Sequence, residues 1–181
     1  GLVGSEMCIR DSCYTYQLYY VFVVLTRKPK QLVAKKNHKF AAVISARNES
    51  AVIGQLIHSI KVQNYPSELI DVFVIADNCT DNTAEVAREA GAIVFPRFNT
   101  EQVGKGYALD YGFNVIRSQY ADRGYEAYFV FDADNVLDVN YFREMNKTFD
   151  NGAVASTSYR NSKNYDSNWI SAGYACLLYT S

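Results

Sequence analysis

Residues 40–60 read FAAVISARNESAVIGQLIHSI. The first six, 40–45, form a continuous apolar run, the pattern of a strand buried on both faces. Four residues with polar character follow, Ala46-Arg47-Asn48-Glu49, and Asn48 or Ser50 is placed to cap a helix. Val52, Ile53, Leu56, Ile57 and Ile60 then recur at helical spacing and leave one apolar face. Asn64-Tyr65-Pro66 stops that helix. A buried strand feeding an amphipathic helix is the repeating unit of a parallel sheet.

The same rhythm continues outward. Residues 72–76 (VFVIA) predict a second buried strand, Thr80 or Asp81 a helix start, and Gly91 the stop of a helix ending near Glu89. Residues 92–95 predict a third strand, and 107–116 a helix after the Gly104-Lys105-Gly106 turn. Residues 128–131 (YFVF) predict a fourth strand, 140–149 a helix and 153–157 a further strand. The expected fold is therefore α/β, a mostly parallel sheet flanked by helices. In such sheets ligands bind beyond the carboxyl ends of the strands. Three polar clusters stand there: Ser45-Ala46-Arg47-Asn48-Glu49, Asp77-Asn78-Cys79-Thr80-Asp81, and Asp132-Ala133-Asp134-Asn135.

The whole chain has 181 residues, 49% hydrophobic and 20% charged, with a formal net charge of -1. That is enough for one domain with a sizeable core. Without a basic surplus, bulk electrostatic binding to nucleic acid is not indicated. Cys8, Cys13, Cys79 and Cys176 match no zinc or CxxC spacing, which reads as reduced thiols.

Residues 1–12 (GLVGSEMCIRDS) and 176–181 (CLLYTS) resemble translated sequencing-adapter sequence and are set aside from fold reasoning, so the natural chain is expected to extend further both ways. Residues 14–25 form an apolar, aromatic run of about a dozen residues, short of the ~20 needed to span a bilayer. A basic stretch follows, from Arg27 and Lys28 to Lys39. Together they read as the carboxyl-terminal part of a membrane helix over 13–26, a cytoplasmic basic linker over 27–38, and a domain over 39–175; a buried or interfacial amphipathic helix fits the same run.

Asp132 and Asp134 bracket Ala133 at the end of an apolar strand. In an extended segment their side chains share one side. Two carboxylates there suit a hard divalent cation, with other positions left to water and phosphate oxygens; such an ion can neutralise a diphosphate leaving group. An Asp-capped turn is the simpler reading. Calcium-hand loops fail, since Leu137 and Arg143 (or Arg88) stand where Gly and Glu are required. No phosphate loop is present around Lys105, and Leu109 replaces the third glycine of a dinucleotide fingerprint. Asp77 can accept hydrogen bonds from a base or ribose, or make a helix-entry turn. Lys105, between two glycines, can approach a phosphate as a point charge, or be a solvated turn lysine. His38 and His58 have no nearby sequence partner for acid or base work.

SARNE after the first strand, ADNCTDNTA after the second, GKGYALDYGF, and YFVFDADN together resemble the family 2 glycosyltransferases over roughly residues 39–175. They are most similar to bacterial membrane-bound members related to cellulose, hyaluronan and poly-N-acetylglucosamine synthases. The resemblance implies a GT-A (Rossmann-like) fold, incomplete at the carboxyl terminus, and an inverting transfer from a UDP-linked sugar to a glycan or lipid-linked acceptor. It implies that Ala46, Arg47, Asn48, Glu49, Asp77 and Asn78 line the nucleoside site and that Lys105 holds the nucleotide. It further implies that Asp132, Ala133 and Asp134 meet the donor sugar, with Asp132 and Asp134 on Mn2+ or Mg2+. The family's base lies later in the chain, and neither Asp150 nor Asp166 sits in such a motif. Donor binding without efficient transfer is the expectation, with the domain on the cytoplasmic side of the plasma membrane. A sugar-nucleotide-binding pseudoenzyme and a sugar-phosphate nucleotidyltransferase are the alternatives. The sequons at Asn48, Asn78 and Asn146 read as chance matches on a cytoplasmic domain.

Overall fold

Four parallel strands form one sheet in the order β3-β2-β1-β4: β1 Phe40–Ala46, β2 Ile70–Asp77, β3 Ile93–Arg97 and β4 Ala127–Asp132. The helices are α1 Ile53–Lys61, α2 Thr83–Glu89, α3 Lys105–Gln119 and α4 Tyr141–Asp150. A computed structural model describes residues 15–23, 25–26 and 32–158. The chain divides into two compact units, residues 1–33 and 34–181. In the first, residues 15–23 and 25–26 are helical, and Tyr16 meets Tyr20 edge-on at 4.6 Å. No helix among the described residues is long and apolar enough to cross a membrane. The adapter-like ends, residues 27–31 of the basic linker and residues 159–175, including Asp166, lie outside the described residues.

The period-two rule of strands explains the layers in the second unit. Phe40, Ala42 and Ile44 of β1, with Val72 and Val74 of β2, face one side. There they bury Ile53, Leu56, Ile57 and Ile60 of α1, Ala87 of α2 and Phe142 of α4. Ala41, Val43, Phe73 and Ile75 face the other side and meet Ala108 and Ile116 of α3. The core aromatics are interlocked: the ring of Phe40 contacts those of Tyr65, Phe129, Phe142 and Phe149.

Two expectations change. Residues 153–157 form no strand and are largely exposed; they border a cavity of about 470 Å³ beside β4, so the apolar run does not pair with the sheet. The side-chain caps at the start of α1 are also absent: Val52 stands at its N-cap with no side-chain hydrogen bond. The Glu49 carbonyl instead accepts from the amides of Val52 and Ile53 at 3.1 and 3.0 Å. The α2 N-cap is Asn82, one residue beyond Asp81, whose Oδ1 still accepts the Thr83 amide at 3.1 Å. Gly91 does end α2, in a left-handed conformation (φ 88°) that suits glycine.

Helix α3 lies close to the sheet because Gly112 has no side chain. A Cβ there would stand 2.6 Å from Ile75 Cδ1 and 2.7 Å from Cγ1. Ile75 is fully buried, so its side chain can shift only by displacing packed neighbours. Gly112→Ala is expected to lower stability by about 1–3 kcal/mol through overpacking, despite the helix preference of Ala. A drop in the urea midpoint at unchanged slope checks this; an unchanged or raised midpoint contradicts it.

At the amino ends of β1 and β4 the chain entry is clasped by polar groups. His38 is buried, its Nδ1 is 2.8 Å from Glu126 and its Nε2 is 2.9 Å from Asp150. Its amide donates to Tyr65 Oη and Asn146 Oδ1. The Lys35 amide donates to Asp150 at 2.6 Å and Lys36 Nζ pairs with Glu126 at 2.9 Å. His38 thus has two carboxylate partners that its sequence neighbours do not reveal, and its role is structural. Bonds from Lys36, then His38, hold the Glu126 carboxyl down at about 2; the Lys35 amide, then His38, lower that of Asp150. Carboxyls depressed in the fold stabilise it above their unfolded values, and that contribution disappears as pH falls through the folded values. Stability is therefore expected to decline from about pH 4.5 toward about pH 2. Glu126→Gln should flatten that limb in acid titrations followed by circular dichroism; an unaltered limb would show that Glu126 has no part in it.

Candidate functional site

The strand order reverses direction between β1 and β4, since β2 and β3 extend the sheet one way and β4 the other. Loops leaving β1 and β4 therefore diverge and open a crevice at the carboxyl ends. Register fixes which residues meet there: Ser45 pairs with Asp132, Ala46 with Ala76, and Asp77 with Arg97.

Asn48 and Asn78 both adopt left-handed backbone, with φ of 56° and 52°, a conformation Asn tolerates better than most residues. Each ties its loop to the next. Asn48 Oδ1 accepts from the Thr80 amide at 2.8 Å. Asn78 Oδ1 accepts from the Asn99 amide at 2.9 Å, and its Nδ2 donates to the Asn99 carbonyl at 3.0 Å. Glu49 N–H donates to Thr83 Oγ1 at 2.8 Å, and Ser50 N–H to Asp81 Oδ2 at 3.3 Å. Bonds from Thr83, chiefly its hydroxyl, hold the Asp81 carboxyl down at about 2. The loops after β1, β2 and β3 thus form one hydrogen-bonded rim. Arg47 and Asn48 are exposed on it and Ala46 is buried beneath.

Asp77 is engaged by its neighbours. It is buried, and its Oδ1 receives Arg97 Nη1 at 2.5 Å and Asn78 Nδ2 at 3.3 Å. Arg97 is also buried and donates through Nη2 to the Gln102 carbonyl at 2.7 Å. No expectation had singled out Arg97. The signal available was a charged residue ending the apolar run AIVFPR directly opposite Asp77.

Lys105 opens α3, after Gly104 at φ 128°, and forms an ion pair with Asp132. Both side chains keep nearly half their surface open, so solvent screening leaves the pair worth little to stability. The strand ends at Asp132, and residues 133–134 form a turn closed by the Asn135 amide on the Asp132 carbonyl at 3.1 Å. This corrects the premise that Asp134 continues an extended segment; the turn, not strand periodicity, sets its direction. Ala133 is buried and Asp134 is exposed. Among the described residues no group of three or more His, Cys, Asp and Glu is placed to hold a metal. Two open carboxylates on one tight turn supply hard oxygen donors but only part of a cation's shell, which suits an ion shared with a polyanionic ligand.

Residues 38–180 match the family model described as glycosyltransferase like family 2. Over 68 residues the chain is 50% identical to 4,4'-diaponeurosporenoate glycosyltransferase of Staphylococcus aureus strain USA300; the match spans 35% of this chain and 17% of that protein's length. Among solved structures, the mannosyltransferase PcManGT from Pyrobaculum calidifontis, in complex with GDP-Man and Mn2+, is similar at a TM-score of 0.55 and 20% identity, covering 74% of this chain and 39% of its own. TarS residues 1–349 of S. aureus in complex with UDP is similar at a TM-score of 0.50 and 16% identity, covering 67% and 39%. At such identities the likeness establishes the fold.

Proposed function

Because this chain belongs to the glycosyltransferase like family 2 and has the GT-A arrangement of a parallel sheet flanked by helices, we propose that its crevice binds a nucleotide-diphosphate sugar, UDP-linked, for inverting transfer. The observation that carries this reading is the meeting of Lys105 with Asp132 at the mouth of the crevice. A half-exposed ammonium and two carboxylates, Asp132 and Asp134, stand where strand ends direct a ligand. When a diphosphate enters, Lys105 can exchange one anionic partner for another, and Asp132 would then face a cation shared with that group.

Asp132 and Asp134 would hold Mn2+ or Mg2+, which would supply charge neutralisation on the leaving diphosphate. The rim residues Arg47, Asn48 and Glu49 flank the nucleoside. Asp77, its Oδ1 held by Arg97, lines the nucleoside site from the floor, with Asn78 beside it. Asp150 does not serve as base: it is bound to His38 and Lys35 at the amino ends of the strands, away from the strand ends that form the crevice. We assign no base among the described residues and expect donor binding without efficient transfer from this chain. The acceptor is a glycan or a lipid-linked acceptor, and the domain faces the cytoplasm at the plasma membrane. The UDP and GDP-Man named with the similar structures support the donor class.

Calorimetric titration of UDP into the chain, with and without Mn2+, tests the reading. Binding that needs Mn2+ is expected. A folded chain that ignores UDP and GDP with Mn2+ present would overturn it.

A further inference from the structure

Nearly every aromatic ring in residues 32–158 has a ring partner. Three do not: among the described residues, Phe98, Tyr107 and Tyr111 make no ring contact and no side-chain hydrogen bond. All three line one cleft of about 680 Å³, bounded by the end of β3, the loop after it and one face of α3. They are 75%, 53% and 38% exposed. We propose that this cleft, which shares the loop after β3 with the rim of the donor crevice, binds a neutral glycan chain.

The cleft is preorganised. Asn99 Oδ1 accepts from the amides of Glu101 and Gln102 at 2.9 and 2.8 Å. The Asn99 backbone is held by Asn78, and the Gln102 carbonyl by Arg97. The exposure of Phe98 is therefore built into a pinned loop, and little ordering entropy remains to be lost on binding. On α3, Tyr107, Tyr111, Asn114 and Ser118 follow at helical spacing on one face, while Ala108, Gly112 and Ile116 are buried on the other. The cleft thus sets rings toward the start of α3 and hydrogen-bonding groups toward its end.

That combination selects the ligand. A sugar ring has an apolar C–H face, which covers an aromatic ring, and a rim of hydroxyls, which needs amide and hydroxyl partners. Asn99, Gln102, Asn114 and Ser118 line the cleft beside the rings. A purely apolar partner would desolvate those groups without replacing their bonds. A phosphate or an acidic peptide would need a cation. The charged lining residues are Arg97, held by Asp77 at 2.5 Å, and Asp110, bonded by Asn114 at 3.3 Å. The volume lies within the range of about 300–1,000 Å³ usual for small-ligand sites.

The test is a titration of the isotopically labelled chain with cellohexaose, and separately with maltohexaose, without nucleotide or metal, so that it succeeds or fails independently of the donor reading. Saturable shifts of the Tyr107 and Tyr111 ring signals with at least one hexaose are expected. Phe98→Ala and Tyr111→Ala, both at exposed positions, should each weaken binding by about tenfold, the equivalent of one aromatic stacking contact, with unchanged circular dichroism. Absence of shifts with both sugars overturns the proposal, as does equal binding by both variants. Self-association abolished by Tyr111→Ala would also overturn it, by assigning the cleft to a second copy of the chain.

Discussion

Arg97→Met is expected to destabilise the domain by about 3–5 kcal/mol, the cost of leaving one partner of a buried ion pair without the other. The Arg97 and Asp77 side chains are 6% and 4% exposed, so the stranded Asp77 carboxylate cannot recover its hydration. The substitution also removes the Nη2 bond to the Gln102 carbonyl, loosening the loop that Asn78 and Asn99 otherwise hold. Urea denaturation gives the number. The double variant Arg97→Met, Asp77→Leu removes both charges and should recover most of the loss, because apolar groups of similar volume replace a buried pair at little cost. A single variant costing less than about 1 kcal/mol would mean that water reaches the pair.

Asp134→Asn is expected to weaken Mn2+-dependent UDP binding by at least about 10–100-fold, the range found when even an outer partner of a metal ligand is lost. The change keeps shape and removes a charge. Asp134 is exposed in the turn after β4, so its effect on stability should stay within about 0.5 kcal/mol. This makes it a cleaner probe than Asp132, whose replacement also breaks the pair with Lys105. Calorimetry on the variant, beside circular dichroism, checks both halves. UDP binding that survives unchanged would remove Asp134 from the donor site.

Most of the architecture was legible in advance because the two central strands, β1 and β2, are buried on both faces. Runs such as residues 40–45 and 72–76 can satisfy a parallel sheet and little else, and their polar ends mark where a crevice must lie. The run at 153–157 shows where that logic stops. A short apolar stretch becomes a strand only if an edge pairs with it, and none does so among the described residues.

Composition and period were therefore enough for the α/β class, the chain order of the elements in the sheet, the three polar loops that hold Arg47, Asp77, Asp132 and Asp134, and the Gly-Lys-Gly turn that holds Lys105. Tertiary structure alone decided what those residues touch. It joined Asp77 to Arg97 across 20 residues, Lys105 to Asp132 across 27 and His38 to Asp150 across 112. It also gathered Phe98, Tyr107 and Tyr111 around one cleft. The physical reason is that burial pattern is a local property of the chain, set by side-chain periodicity. The partner of a charge or a ring depends on strand register and helix placement, which exist only once the sheet has assembled.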